Sequence, residues 1–312
     1  MEIDAKTKSV LDMYTKYPFP SYSNHHNIFS RFVYPAIREL SDFKRILDAG
    51  CGTGECSLDM TSKFPQSEII GIDITEKSLA LARKRALTQD MTNLRFEQAN
   101  LIDYRPDLGQ FDFVHSQGVV HILSDPLTGL KNIHKYLKPN GFAYIWLYMS
   151  LGSTRKLEIR EALHLLVQDP DMDWEQRLKL AKLLKAILLP GRKPGNFFLE
   201  PDNGPETKGD NPALPKQSLE DLELTQAERI SLADELLHPM DRYYRMSEVF
   251  DLVDKANFSF LKVVEGMSNS LEDSFGRDSL ILALGQGLNW KEKYQLIELY
   301  EKPSGIGFLL QK

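Results

Sequence analysis

Ile46-Leu47-Asp48-Ala49-Gly50-Cys51-Gly52-Thr53-Gly54 is an apolar run that ends in three alternating glycines. Arg45 to Leu47 suits the end of a buried strand, and from Glu55 onward the sequence reads as helix. The glycines allow backbone torsions and close approaches that a Cβ would block. A strand, a glycine turn and a helix N-terminus form a nucleotide-sized cradle with backbone N–H groups pointing into it. The spacing is G-x-G-x-G. The dinucleotide fingerprint G-x-G-x-x-G needs its longer last gap where a pyrophosphate lies on the helix, so a nicotinamide cofactor is disfavoured.

Working outward, Ile69-Ile-Gly-Ile-Asp73-Ile74-Thr75 is a second apolar strand ending in an acid. It falls about twenty residues past the glycines, the interval at which such an acid meets ribose hydroxyls. Thr75 is expected to cap the helix that begins at Glu76. A third strand runs from Asn93 toward Asn100, Leu101 and Asp103, and a fourth, Phe111-Asp-Phe-Val-His-Ser116, leads into Gln117-Gly118-Val-Val-His121. Asn132 to Leu137 reads as helix, Lys138-Pro-Asn-Gly141 breaks it, and Phe142 to Tyr148 makes a fifth strand. Strands alternating with helices in this way indicate a doubly wound parallel α/β sheet.

The G-x-G-x-G loop behind Asp48, the acid at Asp73, the Phe-Asp start of the fourth strand, the G-V-V-H run and the L-K-P-N-G turn resemble class I S-adenosylmethionine-dependent methyltransferases. The resemblance implies a Rossmann-like, mostly parallel seven-stranded sheet and S-adenosyl-L-methionine as cofactor. Its late strands would be Phe260–Val264 and Leu280–Gly285, with Ser247 to Ala256 as the crossover helix. Cofactor contacts would then come from Asp48, Gly50, Cys51, Gly52, Asp73, Ile74, Asn100, Leu101, Gln117 and Gly118. Asn100 departs from the family's usual Asp, but it keeps a carbonyl acceptor for an adenine amine. His121 is a candidate base, or else a residue that orders its loop.

Two additions flank this core. Residues 1–40 form an N-terminal helical and aromatic cap, with Tyr14-Thr-Lys-Tyr17-Pro-Phe-Pro20 followed by a helical stretch from Asn27 to Leu40 that Pro35 should kink. The segment resembles the Y-P-F-P leader of an uncharacterised bacterial methyltransferase group. Tyr14 or Tyr17 would cover the donor, with Tyr17 also a catalytic candidate, or the segment is a strap over the sheet edge. The second addition, residues 151–242, is a helical lid over the substrate pocket. Its Trp174, Phe197 and Phe198 are pocket walls or lid core, and 190–217 reads as a long loop. The lid ends in Leu236-Leu-His238-Pro-Met-Asp241-Arg242-Tyr243-Tyr244, which resembles an L-H-P-x-D-R-x-Y run of the same group. His238 is a second candidate base. Asp241 is expected to pair with an arginine as a hinge, and Ser247 to cap the next helix. Residues 41–150 are the donor-binding core, 243–288 its completion by a helix and two strands, and 289–312 a C-terminal helix and strap.

The chain has 312 residues, a net charge of −6 and two cysteines. No disulfide framework or zinc motif is expected, nor a metal. The acidic balance argues against nucleic acid. Lys156, Arg160, Lys179, Lys182 and Lys185 read as solvated helix faces. No signal-like or bilayer-length apolar run stands out, so a cytoplasmic protein without membrane contact is expected. Oligomeric state stays open. The function expected is methyl transfer to oxygen or nitrogen of a small-molecule acceptor. A peptide or protein acceptor, or a non-catalytic donor-binding module, are the alternatives.

Overall fold

A computed structural model describes residues 3–21, 28–40, 42–167, 172–188, 219–277 and 279–312. The cap begins with α1 (Ala5–Lys16), where the Asp4 carboxylate accepts from the Lys6 and Thr7 N–H groups. A π-helical turn at Phe29–Val33 runs into α2 (Tyr34–Ile37), with Pro35 in its first turn, where no N–H is missed. The core then alternates β1 (Arg45–Ala49), α3 (Glu55–Lys63), β2 (Glu68–Asp73), α4 (Glu76–Thr88), β3 (Leu94–Gln98), β4 (Phe111–Gln117), α5 (Pro126–Tyr136) and β5 (Leu137–Tyr148). The lid follows as α6 (Thr154–Leu166), α7 (Trp174–Leu188) and α8 (Gln226–Leu236). Then come α9 (Met246–Lys255), β6 (Ser259–Glu265), α10 (Leu271–Phe275), α11 (Leu280–Leu284), α12 (Trp290–Glu301) and β7 (Gly305–Gln311).

The seven strands run in the order β3-β2-β1-β4-β5-β7-β6, parallel except that β7 is antiparallel to both neighbours. Successive side chains of a strand leave opposite faces, and the core divides accordingly. Leu47, Ile70, Val114, Ile145 and Leu310 pack on one side beneath α5, α9 and α12. Ile46, Ile69, Phe113, Tyr144 and Leu309 pack on the other with Phe29 and Phe43. Adjacent residues in β1, β2, β4, β5 and β7 thus serve different layers, which is why such strands are apolar on both faces.

Two expectations are corrected. Leu280 to Gly285 is not a strand: the Ser279 hydroxyl accepts from the Leu282 N–H at 3.1 Å and starts α11, with Leu280 and Leu284 exposed. The seventh strand is β7, so it lies in the C-terminal segment and 243–288 supplies only one strand. Glycine decides the position. A Cβ at Gly305 would meet Trp146 at 2.2 Å and one at Gly307 the Tyr144 hydroxyl at 2.3 Å, so β7 fits beside β5 only without those side chains. The helix expected to be capped by Ser247 begins one residue earlier, with the Glu248 carboxylate accepting from the Arg245 N–H at 2.7 Å.

The lid has its own small core, in which Ile159, Leu163, Leu178, Ala181, Ile230 and Leu236 meet Met13 of α1. Trp174 belongs to it. Phe197, Phe198 and the 190–217 stretch lie outside the described residues. No helix among the described residues is long and apolar enough to cross a membrane.

If β7 is integral to the core, Leu310→Ala will be costly, because Leu310 is fully buried opposite Ala143. The expected loss is about 2–5 kcal/mol, read as a lower urea midpoint with an unchanged m-value.

Candidate functional site

A cavity opens at the carboxyl ends of the parallel strands, where β1 has β2 on one side and β4 on the other. That is the switch point at which open α/β sheets receive ligands. Gly50 and Gly52 turn the chain there with φ of +84° and +53°. A Cβ on Gly52 would lie 2.4 Å from the Phe19 carbonyl oxygen, and the Thr53 N–H donates to that same oxygen at 3.2 Å. The aromatic leader therefore docks directly on the glycine loop.

Ten of the expected cofactor residues line the cavity at the strand ends, with Tyr14 on the opposite wall and Tyr17 outside the lining. Asp48, Gly50, Cys51 and Gly52 line it from β1 and its turn, Asp73 and Ile74 from the end of β2, Asn100 and Leu101 from beyond β3, and Gln117 and Gly118 from the end of β4. Asp73 accepts from the Gly52 N–H at 3.0 Å and the Thr75 N–H at 2.8 Å, one bond to each oxygen. A carboxylate has further lone pairs for ligand hydroxyls, and burial raises its pKa. Thr75 makes no side-chain cap bond, so Asp73 itself closes the turn before α4. Asn132 Nδ2 donates to the Leu101 and Ile102 carbonyls at 3.0 and 2.7 Å, holding the loop beyond β3. Burial raises both the Cys51 and Cys56 thiols, which therefore stay protonated at neutral pH.

Asp48 makes a further link. Its carboxylate accepts from Ser57 Oγ on α3 and faces His115 Nδ1 on β4 at 2.9 Å. One buried acid thereby ties β1, the helix after the glycine loop and the central strand. His115, stacked on Tyr144, also lines the cavity, and sequence reasoning missed it. The signal was an imidazole directly after the apolar Phe113-Val114 pair of the central strand.

The cap and the lid supply the opposite wall. Thr7, Val10 and Tyr14 recur at helical spacing along one face of α1, as do Ser231, Asp234 and Glu235 on α8. Tyr14 donates its hydroxyl to Asp234 Oδ1 at 2.7 Å. His121, Trp146, Tyr148, Asp241 and Glu265 complete this side. His121 is 2% exposed, 4.5 Å between ring centres from Tyr148, and its Nδ1 has no partner. Burial lowers its pKa to about 3, so the ring is neutral at physiological pH. Asp234 moves the opposite way: burial pushes its pKa up to about 7.

Tyr17 is corrected. It sits at the C-cap of α1, where the chain leaves the helix, and its ring packs 5.8 Å from Trp174 in the lid core, outside the cavity wall. His238 is corrected too. It lies behind Tyr14, ring centres 5.6 Å apart, with Nδ1 accepting from the Met240 N–H, and it does not line the cavity. Asp241 is the expected hinge acid, 3.1 Å from Arg160 and 3.4 Å from Lys156. Lys156 is no solvated residue: it is 1% exposed, with Nζ 3.7 Å from the Tyr148 ring centre. Burial lowers its pKa, while Asp241 opposes that shift. Among the described residues no group of His, Cys, Asp and Glu is arranged to hold a metal ion.

Residues 40–177 match a family model described as a methyltransferase domain. Over those residues the chain is similar to methyltransferase domains. An uncharacterized protein of Synechococcus sp. is 26% identical over 310 residues, covering 96% of this chain and 70% of its own length. A trans-aconitate 2-methyltransferase of Deinococcus radiodurans is 32% identical over 99 residues, 32% of this chain and 36% of that protein. PKMT2 from Rickettsia typhi, solved in complex with AdoHcy, shares the fold with a TM-score of 0.62 at 19% identity. That match covers 94% of this chain and 54% of the other, so this chain spans about half of that structure.

His121 gives the fold an acid sensitivity. The unfolded chain protonates this imidazole below its ordinary 6.5, and the folded chain only near 3. Its contribution is complete above that upper value and drains as pH falls toward the lower one, by up to about 1.4 kcal/mol per pH unit. His121→Asn should shrink the stability difference between about pH 7.5 and about pH 5 by about 2 kcal/mol in urea titrations.

Proposed function

We propose that the methyltransferase moves the methyl group of S-adenosylmethionine to an oxygen or nitrogen of a small-molecule acceptor by in-line displacement. One observation carries this reading. The cavity wall that includes the glycine loop and Asp73 continues, within the same cavity, into a side made of Tyr14, His121, Trp146, Tyr148 and Asp234. The first set suits an adenosyl group: Asp73 for the ribose hydroxyls, Asn100 and Leu101 for the adenine, the Gly50–Gly52 turn and Gln117–Gly118 for the remainder. The second set is closed over by α1 and α8 and is the place for an acceptor.

The sulfonium is already a strong electrophile, so the protein's task is alignment and exclusion of water. His121, neutral with a free Nδ1, accepts a hydrogen bond from the acceptor and orients it. Its conjugate acid is too acidic to store the acceptor's proton.

Calorimetry tests the donor half. S-adenosylhomocysteine should bind and NAD should not. Asp73→Ala should weaken S-adenosylhomocysteine by about ten- to a hundredfold, the worth of hydrogen bonds to a charged group. Tyr17→Phe should change it by less than about twofold, because its ring packs in the lid core away from the cavity and only a hydroxyl is removed. Wild-type binding of NAD in place of S-adenosylhomocysteine would end the reading.

A further inference from the structure

The acceptor side of the cavity offers hydrogen-bond acceptors in excess. Asp241 is compensated by Arg160 and Lys156, and Glu235 by Lys185 at 2.7 Å. Asp234 is different. It is 9% exposed, it lines the cavity, and among the described residues its one hydrogen bond comes from the Tyr14 hydroxyl, with no cation at ion-pair distance. Glu265, also in the wall, is held only by the Tyr144 hydroxyl. A buried carboxylate without a cation is costly unless a ligand supplies one. A second observation is independent of the acids. His121 and His115, 2% and 1% exposed, are in the lining of the same cavity, and their Nδ1 and Nε2 have no partner among the described residues. Because the Trp146 backbone already engages the His121 ring, the free Nδ1 is the acceptor nitrogen of a neutral imidazole. The Tyr148 and Trp146 rings add π faces, which attract cations.

Resting on the methyltransferase reading of the same cavity, we propose that the acceptor is an amine that enters as its ammonium ion, with the Asp234 carboxylate as counter-ion and proton acceptor. The ammonium gives one proton to Asp234 and another N–H points at His121 Nδ1. The freed nitrogen lone pair then forms the N–C bond to the methyl carbon as the C–S bond breaks. The bonding pair returns to sulfur, leaving neutral S-adenosylhomocysteine. The product leaves as a methylated ammonium ion, and Asp234 returns its proton to solvent. No other reactant is needed. An alcohol would place no charge opposite Asp234, and a carboxylate would be repelled by it.

The groups facing Asp234 are Tyr14 of α1, Lys156 of α6, Tyr148 of β5, Asp241 and Tyr243 before α9, and Glu235 of its own helix. Tyr14 through its hydrogen bond and Lys156 through its charge favour the ionised form, and Asp241 and Glu235 oppose it. Ionisation with a midpoint of about 7 therefore sets the pH profile: amine binding rises as pH rises through that value.

The experiment is calorimetry on the full chain saturated with S-adenosylhomocysteine, using benzylamine, benzyl alcohol and benzoate as probes of equal size. Benzylamine should bind at least about tenfold more tightly than either at slightly alkaline pH. Asp234→Asn should bring that ratio close to one while S-adenosylhomocysteine affinity is kept. Tyr14→Phe, which removes only a hydroxyl, should shift the pH midpoint of benzylamine binding upward, and it tests the same point if the asparagine variant does not fold. Failure of wild-type chain to bind S-adenosylhomocysteine overturns the methyltransferase reading itself. Normal donor binding with benzyl alcohol or benzoate held as tightly as benzylamine, or with no probe held, overturns the amine assignment alone. An unchanged ratio in folded Asp234→Asn, or an unmoved midpoint in Tyr14→Phe, removes Asp234 from the role.

Discussion

The contact between Gly52 and the Phe19 carbonyl governs the rest of the site. The carbonyl lies where a Cβ would be, and Thr53 reinforces it through its N–H to Phe19 and its hydroxyl to the Pro20 carbonyl at 2.8 Å. Glycine in the loop is therefore needed twice: for the positive φ of the turn and for the leader's approach. Once the leader is seated there, α1 has no freedom to lie elsewhere. Its Thr7–Val10–Tyr14 row faces the cavity, and its Met13 side faces the lid. The cap is thus coupled to the donor cradle through backbone atoms, and through α1 to the lid.

Electrostatics joins the lid to the core by a different logic. Lys156, Asp241, Arg160 and His238 meet where α6 crosses the segment before α9. Desolvating such charges consumes most of what their attraction returns, so the cluster adds little net stability. Removing one partner is another matter, costing about 3–5 kcal/mol because a buried charge is left alone. The cluster therefore selects one lid position over its neighbours. Asp241 is the member that also faces the cavity, so the same acid that fixes the lid contributes to the field an acceptor meets.

The donor half was legible because its constraints are local. A glycine turn, an acid at a strand tip and a polar residue after the next strand are each set by a few adjacent residues, and the parallel topology brings successive strand ends to one edge. The sheet was legible for the same reason up to β5, and the strand the resemblance implied at Phe260–Val264 lies within β6. Beyond it, local signals competed. Leu280 to Leu284 is apolar enough for a strand, but Ser279 caps it into a helix, while Gly305-Ile-Gly-Phe-Leu-Leu became β7 because β5 presents Trp146 and Tyr144 to its glycines. That pairing joins residues far apart in sequence and leaves no mark near either one.

The acceptor half was harder to read because burial there contradicts residue type. Lys156 at helical spacing among charged residues reads as solvated until Tyr148 and Asp241 are placed around it. Asp234 reads as one more acid on an amphipathic helix until Tyr14, 220 residues earlier, donates to it. Tyr14 and Tyr17 stand three residues apart, yet one roofs the cavity and the other fills the lid core, because the helix ends between them. A side chain's chemistry in this enclosure follows from which groups have been desolvated beside it. Burial separates the ionisable neighbours: His121 is held neutral, Asp241 is held charged by two cations, and Asp234 is poised between the two states. A carboxylate with one tyrosine hydroxyl and, among the described residues, no cation at ion-pair distance is the member of that set whose charge an incoming ligand can complete.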